Sequence, residues 1–549
     1  MEPHTKDAAT DAGRYGSTVE EGVLVPKGLK RNAVGLFTST AIGMASTAPA
    51  YSLAATVGFV VAVIGLQSPL LVILAFIPMV FSAWATMQMN RADPDCGTSF
   101  IWAARALGPR TGWWAGGWGT IAADLLGMAS YAQVAGQYVF LLLGLNTIGQ
   151  NASSVWVLLV GMGWIVGLTY ICYRGIEVSA RVQVALVTIE VVLLLLMSIV
   201  ALIKLAQGSA PPGHLTPSWS WFDPGKLGSF SIFMQGMLLM VFIYWGWDTT
   251  TSINEESDEP SRIPGTAGVL STVLLLATYL LVVISVQSFA GIGQRGIGLG
   301  NANHQNDALS VLGGAIFGHS TVGTVLSRLL IFMVLTSAAA TTQTTILPNA
   351  RTTLSMAFHK AIPAIFGRVH PRYLTPTFST LSFAAISIAY YAALNFLSHG
   401  NVISDAVTAA TFFVAVYLGI TAVACAWQYR KDLSRGLRAA LGNVIVPAFA
   451  AVFLFGLLAW SVKLYLDPSQ SYVVVRLPLI GQVGGTLLVA GITALIGLVW
   501  MVVCQFTHPG FFRGEARRSG VSLSEDATVL AAGGGPRDAP PQADGPRQS

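Results

Sequence analysis

Charge is what this chain has least of. Only 10% of its 549 residues are Asp, Glu, Lys or Arg, while 53% are apolar and the mean hydropathy is +0.63. A typical soluble protein carries about 25% charged residues, so a soluble globular body is excluded. Cysteine is also scarce: Cys96, Cys172, Cys425 and Cys504 are the full set, and none shows C-x-x-C spacing. That spacing predicts neither a disulfide nor a metal site. HExxH, GxSxG and P-loop patterns are missing, and His4, His214, His304, His319, His359, His370, His399 and His508 all fall in loops or tails. A membrane-embedded enzyme therefore finds no support, and no cofactor is expected. The first thirty residues lack an apolar h-region, so no cleaved signal peptide is expected. The net charge of +5 forms no single dense patch and implies no nucleic-acid partner.

What the chain has in abundance is bilayer-length apolar sequence, at about 20 residues per crossing. Twelve spans are predicted, at roughly 33–62, 68–90, 112–143, 154–173, 179–206, 229–251, 265–289, 321–347, 376–397, 403–427, 440–465 and 477–504. If the N-terminus is cytoplasmic, 24 of the 30 basic residues fall in cytoplasmic segments. The opposite loops hold only Lys204, Lys226, Arg295, Lys463 and Arg476, with Arg328 near an outer span end. The positive-inside rule thus predicts both termini in the cytoplasm, where the four cysteines also fall and stay reduced. Arg-rich, Ala/Gly/Val-rich composition points to a bacterial inner membrane. Residues 1–30 and 506–549 are polar and are expected to be disordered.

Two spans are interrupted at matching places. The first reads Phe37-Thr-Ser-Thr-Ala-Ile-Gly-Met-Ala-Ser-Thr-Ala-Pro49, and the sixth reads Phe242-Ile-Tyr-Trp-Gly-Trp-Asp-Thr-Thr-Thr251. A helix broken at membrane depth leaves N–H and C=O groups that hydrocarbon cannot satisfy. It survives only where protein or a hydrated cavity surrounds it, and its dipole ends then suit a small ion or zwitterion. The pairing points to a secondary transporter built from two five-span halves. Ile42, Gly43, Met44, Ala45, Ser46 and Thr47 on the first span, with Phe242, Ile243, Tyr244, Trp245 and Gly246 on the sixth, are the candidate substrate-binding residues. Amides there suit a carboxylate and carbonyls suit an ammonium. Pro49 fits the first turn of a restarted helix. The competing reading is that the small residues only pack helices together.

Three further stretches carry a family resemblance. Asp93-Pro-Asp-Cys-Gly-Thr-Ser-Phe-Ile-Trp-Ala-Ala-Arg-Ala-Leu-Gly-Pro109 follows the second span, and Glu255-Glu-Ser-Asp-Glu-Pro-Ser-Arg-Ile-Pro264 follows the sixth. After the eighth come Arg351-Thr-Thr-Leu-Ser-Met-Ala-Phe-His-Lys-Ala-Ile-Pro363 and Val369-His-Pro-Arg-Tyr-Leu-Thr-Pro376. Together they resemble the amino acid–polyamine–organocation (APC) superfamily of permeases over roughly residues 30–505. The resemblance implies an all-α membrane protein of twelve transmembrane helices. These form two inverted five-helix repeats, with helices 1 and 6 broken, plus two peripheral helices. The divisions would be 31–206, 207–430 and 431–505. It also implies an amino acid or amine as cargo and an aromatic gate at Phe242. The sequence departs from the family pattern at Gly43-Met-Ala-Ser46, where Gly-Ser-Gly is usual, and at Cys96-Gly97.

Three acids lie at membrane depth: Asp124 in the third span, Glu190 in the fifth and Asp248 in the sixth. A charge at the bilayer centre costs about 2.5–3.5 kcal/mol on insertion scales, so each needs a partner or a task. Asp124 shares a helical face with Thr120, Gly127, Tyr131 and Tyr138 and is read as facing the bundle. It would meet a cationic group, carry a proton, or serve as a buried structural acid. In some proton-coupled relatives the position of Glu190 resembles a lysine, so the charge is reversed here. Glu190 and Asp248 are candidates for proton coupling and gating. Ser337, Thr341 and Thr344 share a face of the eighth span and are weak sodium candidates, since such hydroxyls often only back-bond to their own helix.

The reading that results is an alternating-access permease in the bilayer. Its cargo is an amino acid and its coupling ion H+. Gly127, Met128 and Ala129 beside Asp124 favour a neutral amino acid. A polyamine or cationic amino acid is the alternative cargo, and a transport-inactive nutrient sensor the alternative of another class.

Overall fold

The computed structural model describes residues 15–20, 23–302, 308–318, 320–398, 402–478 and 481–514. It is mostly helical. Among the described residues ten helical runs are long and apolar enough to cross a membrane. The first of these, Leu36–Ala92, has 57 residues, far more than one crossing takes. It is divided at Ala48 and again at Gly65–Gln67, giving α1 (Leu36–Thr47), α2 (Pro49–Ile64) and α3 (Ser68–Ala92).

Next come α4 (Ser99–Leu107), α5 (Gly119–Leu142), α6 (Val155–Tyr173) and α7 (Ile176–Ala206). The second interrupted stretch gives α8 (Phe230–Ile243) and the single turn α9 (Thr249–Ser252). Then follow α10 (Ile263–Ala290), α11 (Ala308–Phe317), α12 (Thr321–Phe358), α13 (Thr377–Ser398) and α14 (Val402–Gln428). The last two long helices are α15 (Val446–Tyr465) and α16 (Gly485–Thr507).

The packing turns the usual soluble pattern outward. On α16, Ile492, Leu495, Ile496, Val499, Val503 and Phe506 are exposed, while Thr486 and Thr493 are buried. An apolar outer surface with polar side chains held inside suits a hydrocarbon solvent. At the centre α1 packs on α10, α7 and α12, and α5 lies between α12 and α14. The broken helices are therefore wrapped by others and never face lipid at their breaks.

The segment before the first span differs from the expected disordered arm. Tyr15–Glu20 (β1) and Val23–Lys30 (β2) pair as an antiparallel hairpin, and Lys27 and Leu29 are fully buried. The physical reason is electrostatic. The Lys27 ammonium enters a set of buried acids that no composition argument could place beside it. At the other end of the chain Phe511 stacks on Phe100 at 5.3 Å. The hairpin meets loop 93–98 through Lys27 and the stack meets α4, which follows that loop, so both described chain ends lie at one end of the bundle. A second small hairpin, Val474–Leu477 (β3) with Gly481–Gly484 (β4), leads into α16.

Candidate functional site

The first break falls at Ala48, inside the interrupted stretch Phe37–Pro49 and one residue beyond the candidate binding residues Ile42–Thr47. Those residues remain helical, and Ala48 adopts a left-handed conformation, φ 46° and ψ 64°. Pro49 then opens α2 as its first residue, where a missing N–H costs nothing. The second break runs from Tyr244 to Asp248, with Gly246 at φ +122°. The two breaks touch. A Cβ on Gly246 would lie 2.7 Å from the Ser46 carbonyl oxygen, so only glycine allows this approach.

Between the breaks lies a small cavity lined by Ser46, Asp124, Tyr131, Trp245, Gly246, Asp248, Thr249, Thr345 and Pro348. Space for the centre of a water molecule amounts to about 10 Å³, room for roughly one water. Thr249 ties the walls together. Its hydroxyl is 2.8 Å from Ser46 Oγ and donates to the Thr344 carbonyl at 3.3 Å. That carbonyl is free because Pro348, four residues on in α12, has no N–H to return to it.

Both acids on the cavity are held by neutral donors. Asn349 Nδ2 donates to Asp124 Oδ2 at 2.6 Å, and the Tyr417 hydroxyl donates to Asp248 Oδ2 at 2.9 Å. Among the described residues, no Lys, Arg or His lines the cavity. Trp245 Nε1 donates to the same Tyr417 oxygen at 2.7 Å, which fixes the indole at the cavity wall. Tyr417 and Asn349 escaped the sequence reading. Tyr417 sits in the apolar stretch Phe412–Ile420 with nothing local to mark it, whereas Asn349 next to Pro348 was a visible polar interruption.

Of the expected binding residues, the structure brings Ser46, Asp124, Trp245 and Gly246 to the cavity, with Asp248 beside them. The others lie outside its lining. Gly43 packs helices: a Cβ there would meet Ser271 Oγ of α10. Met44 and Ala45 pack with Val187 and Ala340. Ile42 is fully buried in the core, and Thr47 Oγ1 back-bonds to Met44 O. Tyr244 points to α3, donating to Val72 O at 3.1 Å, and Ile243 O accepts from Tyr279 at 2.6 Å. Phe242 stands behind Trp245, ring centroids 6.1 Å apart, so Trp245, with Tyr131, is an aromatic wall of the cavity and Phe242 is not.

Glu190 sits on the far side of the first break, fully buried. Its Oε1 accepts from the Ala50 N–H and, at 2.7 Å, from the Ser337 hydroxyl. Oε2 is buried with no hydrogen-bond partner among the described residues. Ser337 Oγ also accepts from the Tyr51 N–H at 3.2 Å, and Thr341 Oγ1 donates to Ser46 O at 2.7 Å. Thr344 only back-bonds to Ala340 O and Thr341 O. The three hydroxyls are thus used in helix-to-helix bonds or in α12 itself.

At the end of the bundle that holds both described chain ends, Lys27 Nζ lies 2.9 Å from Asp95 Oδ1 and 2.7 Å from Glu255 Oε1, all fully buried. Asp95 Oδ2 also meets His359 Nε2 at 2.8 Å, and Arg351 pairs with Glu256 through two nitrogens at 2.8 and 2.9 Å. Burial works against the Lys27 charge, but Asp95, Cys96 and Glu255 outweigh it and hold the ammonium above the ordinary lysine value. Burial likewise opposes the Asp95 charge, yet Lys27 and His359 hold its carboxyl well below the usual range. For Glu255 burial wins, and its carboxyl is pushed up to about 7.

Comparison with known proteins agrees with this architecture. A family model described as "Amino acid permease" matches residues 34–505. An uncharacterized transporter of Mycobacterium tuberculosis is 26% identical over 399 residues, 72% of this chain and 80% of its own. The branched-chain amino acid permease BcaP of Bacillus subtilis is 23% identical over 53% of this chain and 56% of its own. A polyamine transporter of Arabidopsis thaliana, RMV1, is 26% identical over 46% of this chain and 48% of its own.

Proposed function

Because the chain belongs to the amino acid permease family of the APC superfamily, and so is a transporter rather than an enzyme by kinship, we propose that it carries a small amino compound across a bacterial inner membrane by alternating access, driven by protons. The observation that carries this reading is the contact of Gly246 with Ser46. It apposes two broken helices around a small cavity whose ionisable linings, among the described residues, are Tyr131, Asp124 and Asp248. A bound ammonium would face both acids and the Ser46 carbonyl. A neutral amino acid and a cationic amine both carry that group.

Alternating access would rock the two five-helix halves about this point, with Trp245 and Phe242 closing over the cargo. Twelve spans, with the short α8 and the divided first run supplying the crossings beyond ten, fit two inverted repeats plus α15 and α16 as peripheral helices. The placement of Lys27 and Phe511 at one end supports both termini lying on one side, and the positive-inside count makes that side the cytoplasm.

Proton coupling rests on three buried acids, none with a basic side chain among its hydrogen-bond partners. Asp124 and Asp248 are held by neutral donors, and Glu190 has a second oxygen free to take a proton. The test is uptake by proteoliposomes. Accumulation rises with an inward proton gradient and ignores sodium, and Glu190→Gln loses the gradient response. A strict sodium requirement overturns the coupling and makes Ser337, Thr341 and Thr344 ligands.

A further inference from the structure

Between α8 and α15, on the outside of the bundle, runs a groove of about 490 Å³. Phe230 and Phe233 of α8 stand opposite Val452, Gly456 and Trp460 of α15, and Lys463 ends the α15 side. The α15 residues recur at steps of four, four and three, so they form one stripe along that helix. Gly456 gives the groove its depth: a Cβ built there would meet nothing within 4 Å. Phe230 and Trp460 meet edge to face, ring centroids 5.3 Å apart, and bridge the two helices near the Lys463 end. The Lys463 ammonium lies 5.5 Å from the centre of the same indole. Phe230 and Val452 are exposed, so the groove opens on the apolar outer surface. It shares no lining residue with the cavity between the breaks.

Length and charge together say what fits this groove. From Val452 to Lys463 the helix rises about 16 Å, at 1.5 Å per residue. Half of a hydrocarbon core about 30 Å thick is nearly the same distance. A chain that enters at headgroup level and ends at the midplane therefore matches the groove from end to end. Among the described residues Lys463 is the one charged group of the lining, it stands at the outer end, and no acid lines the groove beside it. Trp460 next to it is the amphipathic ring that membrane–water interfaces favour. An ammonium at that level attracts a lipid phosphate, while the apolar walls gain dispersion contacts only from an apolar occupant. A cargo bearing an ammonium would instead meet a like charge.

We propose that the groove between α8 and α15 is a binding site for one phospholipid of the outer leaflet, with an acyl chain lying over Gly456 and the phosphate at Lys463. The choice of leaflet rests on the topology proposed above, and the site itself does not depend on what the protein carries. Its position ties it to the working centre. The wall formed by Phe230 and Phe233 belongs to α8, whose last residue, Ile243, leads directly into the second break. A chain seated there packs α8 against α15 and steadies the half-helix that ends at the cavity.

The experiment uses the detergent-purified full-length protein and a phosphatidylglycerol that carries a diazirine in one acyl chain. Photolabelled peptides should map to residues 230–234 and 452–463 and saturate at one lipid per chain. Gly456→Trp fills the groove and should lower that labelling tenfold or more, with Gly456→Leu as the milder variant if the first does not fold. Lys463→Gln should weaken competition by unlabelled phosphatidylglycerol about fivefold, the effect of one basic residue at a membrane surface. Dioleoylglycerol, which has the chains without the phosphate, should compete poorly, and glycerol phosphate, which has no chains, should not compete. Hydrogen exchange in α8 should slow when phosphatidylglycerol is added to wild type and stay unchanged in Gly456→Trp. The proposal is overturned by full labelling of a folded Gly456 variant, or by labelling no denser here than over the rest of the outer surface. Chain-to-chain cross-links through residues 452–463 would make the groove a contact between two copies, and displacement of the lipid by an amino compound would make it a cargo site; either result also overturns it. Each of these failures leaves the permease reading standing, since uptake tests that separately.

Discussion

Tyr417 on α14 donates its hydroxyl to Asp248 at 2.9 Å and accepts from Trp245 at 2.7 Å, so one phenol holds both the acid and the aromatic wall of the cavity. Tyr417→Phe keeps the ring and removes both bonds. Leaving a buried donor and acceptor unpaired costs about 1–3 kcal/mol each. Uptake should fall roughly tenfold or more, since 1.4 kcal/mol is a factor of ten. Melting temperature should fall as well, because the Asp248 carboxyl and the Trp245 N–H stay buried without this partner. Unaltered uptake in Tyr417→Phe would remove Asp248 and Trp245 from the working site.

The two interrupted helices make a sharper pair of tests than two equivalent glycines would. Gly246 is at φ +122° and its Cβ would collide with the Ser46 backbone, whereas Gly43 is helical and meets only the side chains of Ser271 and Thr250. Gly246→Leu should abolish uptake while membrane insertion persists, because the break itself is deformed. Gly43→Leu should chiefly lower the melting temperature, since it overpacks a helix contact, an error that costs about 1–3 kcal/mol or more. Full uptake by Gly246→Leu would mean the two breaks do not need to touch.

How far the sequence could be read depended on what kind of signal each residue leaves. Lipid-spanning segments announce themselves by composition, and the breaks by Gly, Pro and hydroxyl residues where apolar ones belong, so α1, α2, α8 and the region around Gly246 were legible. The exact break at Ala48 was not, because alanine carries no mark of a left-handed backbone; Pro49 was the only local hint. Asp124 and Asp248 stood out as acids at depth, but their partners Asn349 and Tyr417 lie 225 and 169 residues away in sequence. Contacts of that range leave no local periodicity. The same distance hid Lys27, 228 residues from Glu255, inside a segment whose polarity spoke for disorder.

Lys27 should matter to stability out of proportion to its place near the end of the chain. Lys27→Met preserves the aliphatic stem and removes the ammonium that Asp95 and Glu255 share, while Asp95 keeps its contact with His359. Breaking a buried pair from one side costs about 3–5 kcal/mol. The expected outcome is a marked fall in melting temperature, partly restored in Lys27→Met/Asp95→Asn/Glu255→Gln, where no unpaired charge remains. A single mutant as stable as wild type would mean that the hairpin does not hold its place against the bundle.

The same cluster predicts a pH dependence with a definite sign. Burial, beside Asp95 and against the pull of Lys27, raises the Glu255 carboxyl from its ordinary 4.5 to about 7. The folded protein therefore holds a proton that the unfolded chain releases. Stability from this group is fully present below about pH 4.5 and is lost as pH rises through about 7. Within that window the loss is on the order of 1 kcal/mol per pH unit. Asp95 acts in the opposite sense. Its carboxyl is held well below the usual range, so its contribution disappears only on acidification below its ordinary 3.8. Between pH 5 and pH 7 Glu255 acts together with Asp93, whose carboxyl burial raises to about 6, and both contributions fall as pH rises. Melting temperature in detergent should drop across that interval in wild type, and Glu255→Gln should make the drop smaller while leaving the acid limb in place. Parallel curves for the two proteins would show that Glu255 is already ionised at pH 5, and that Lys27, rather than burial, sets its charge.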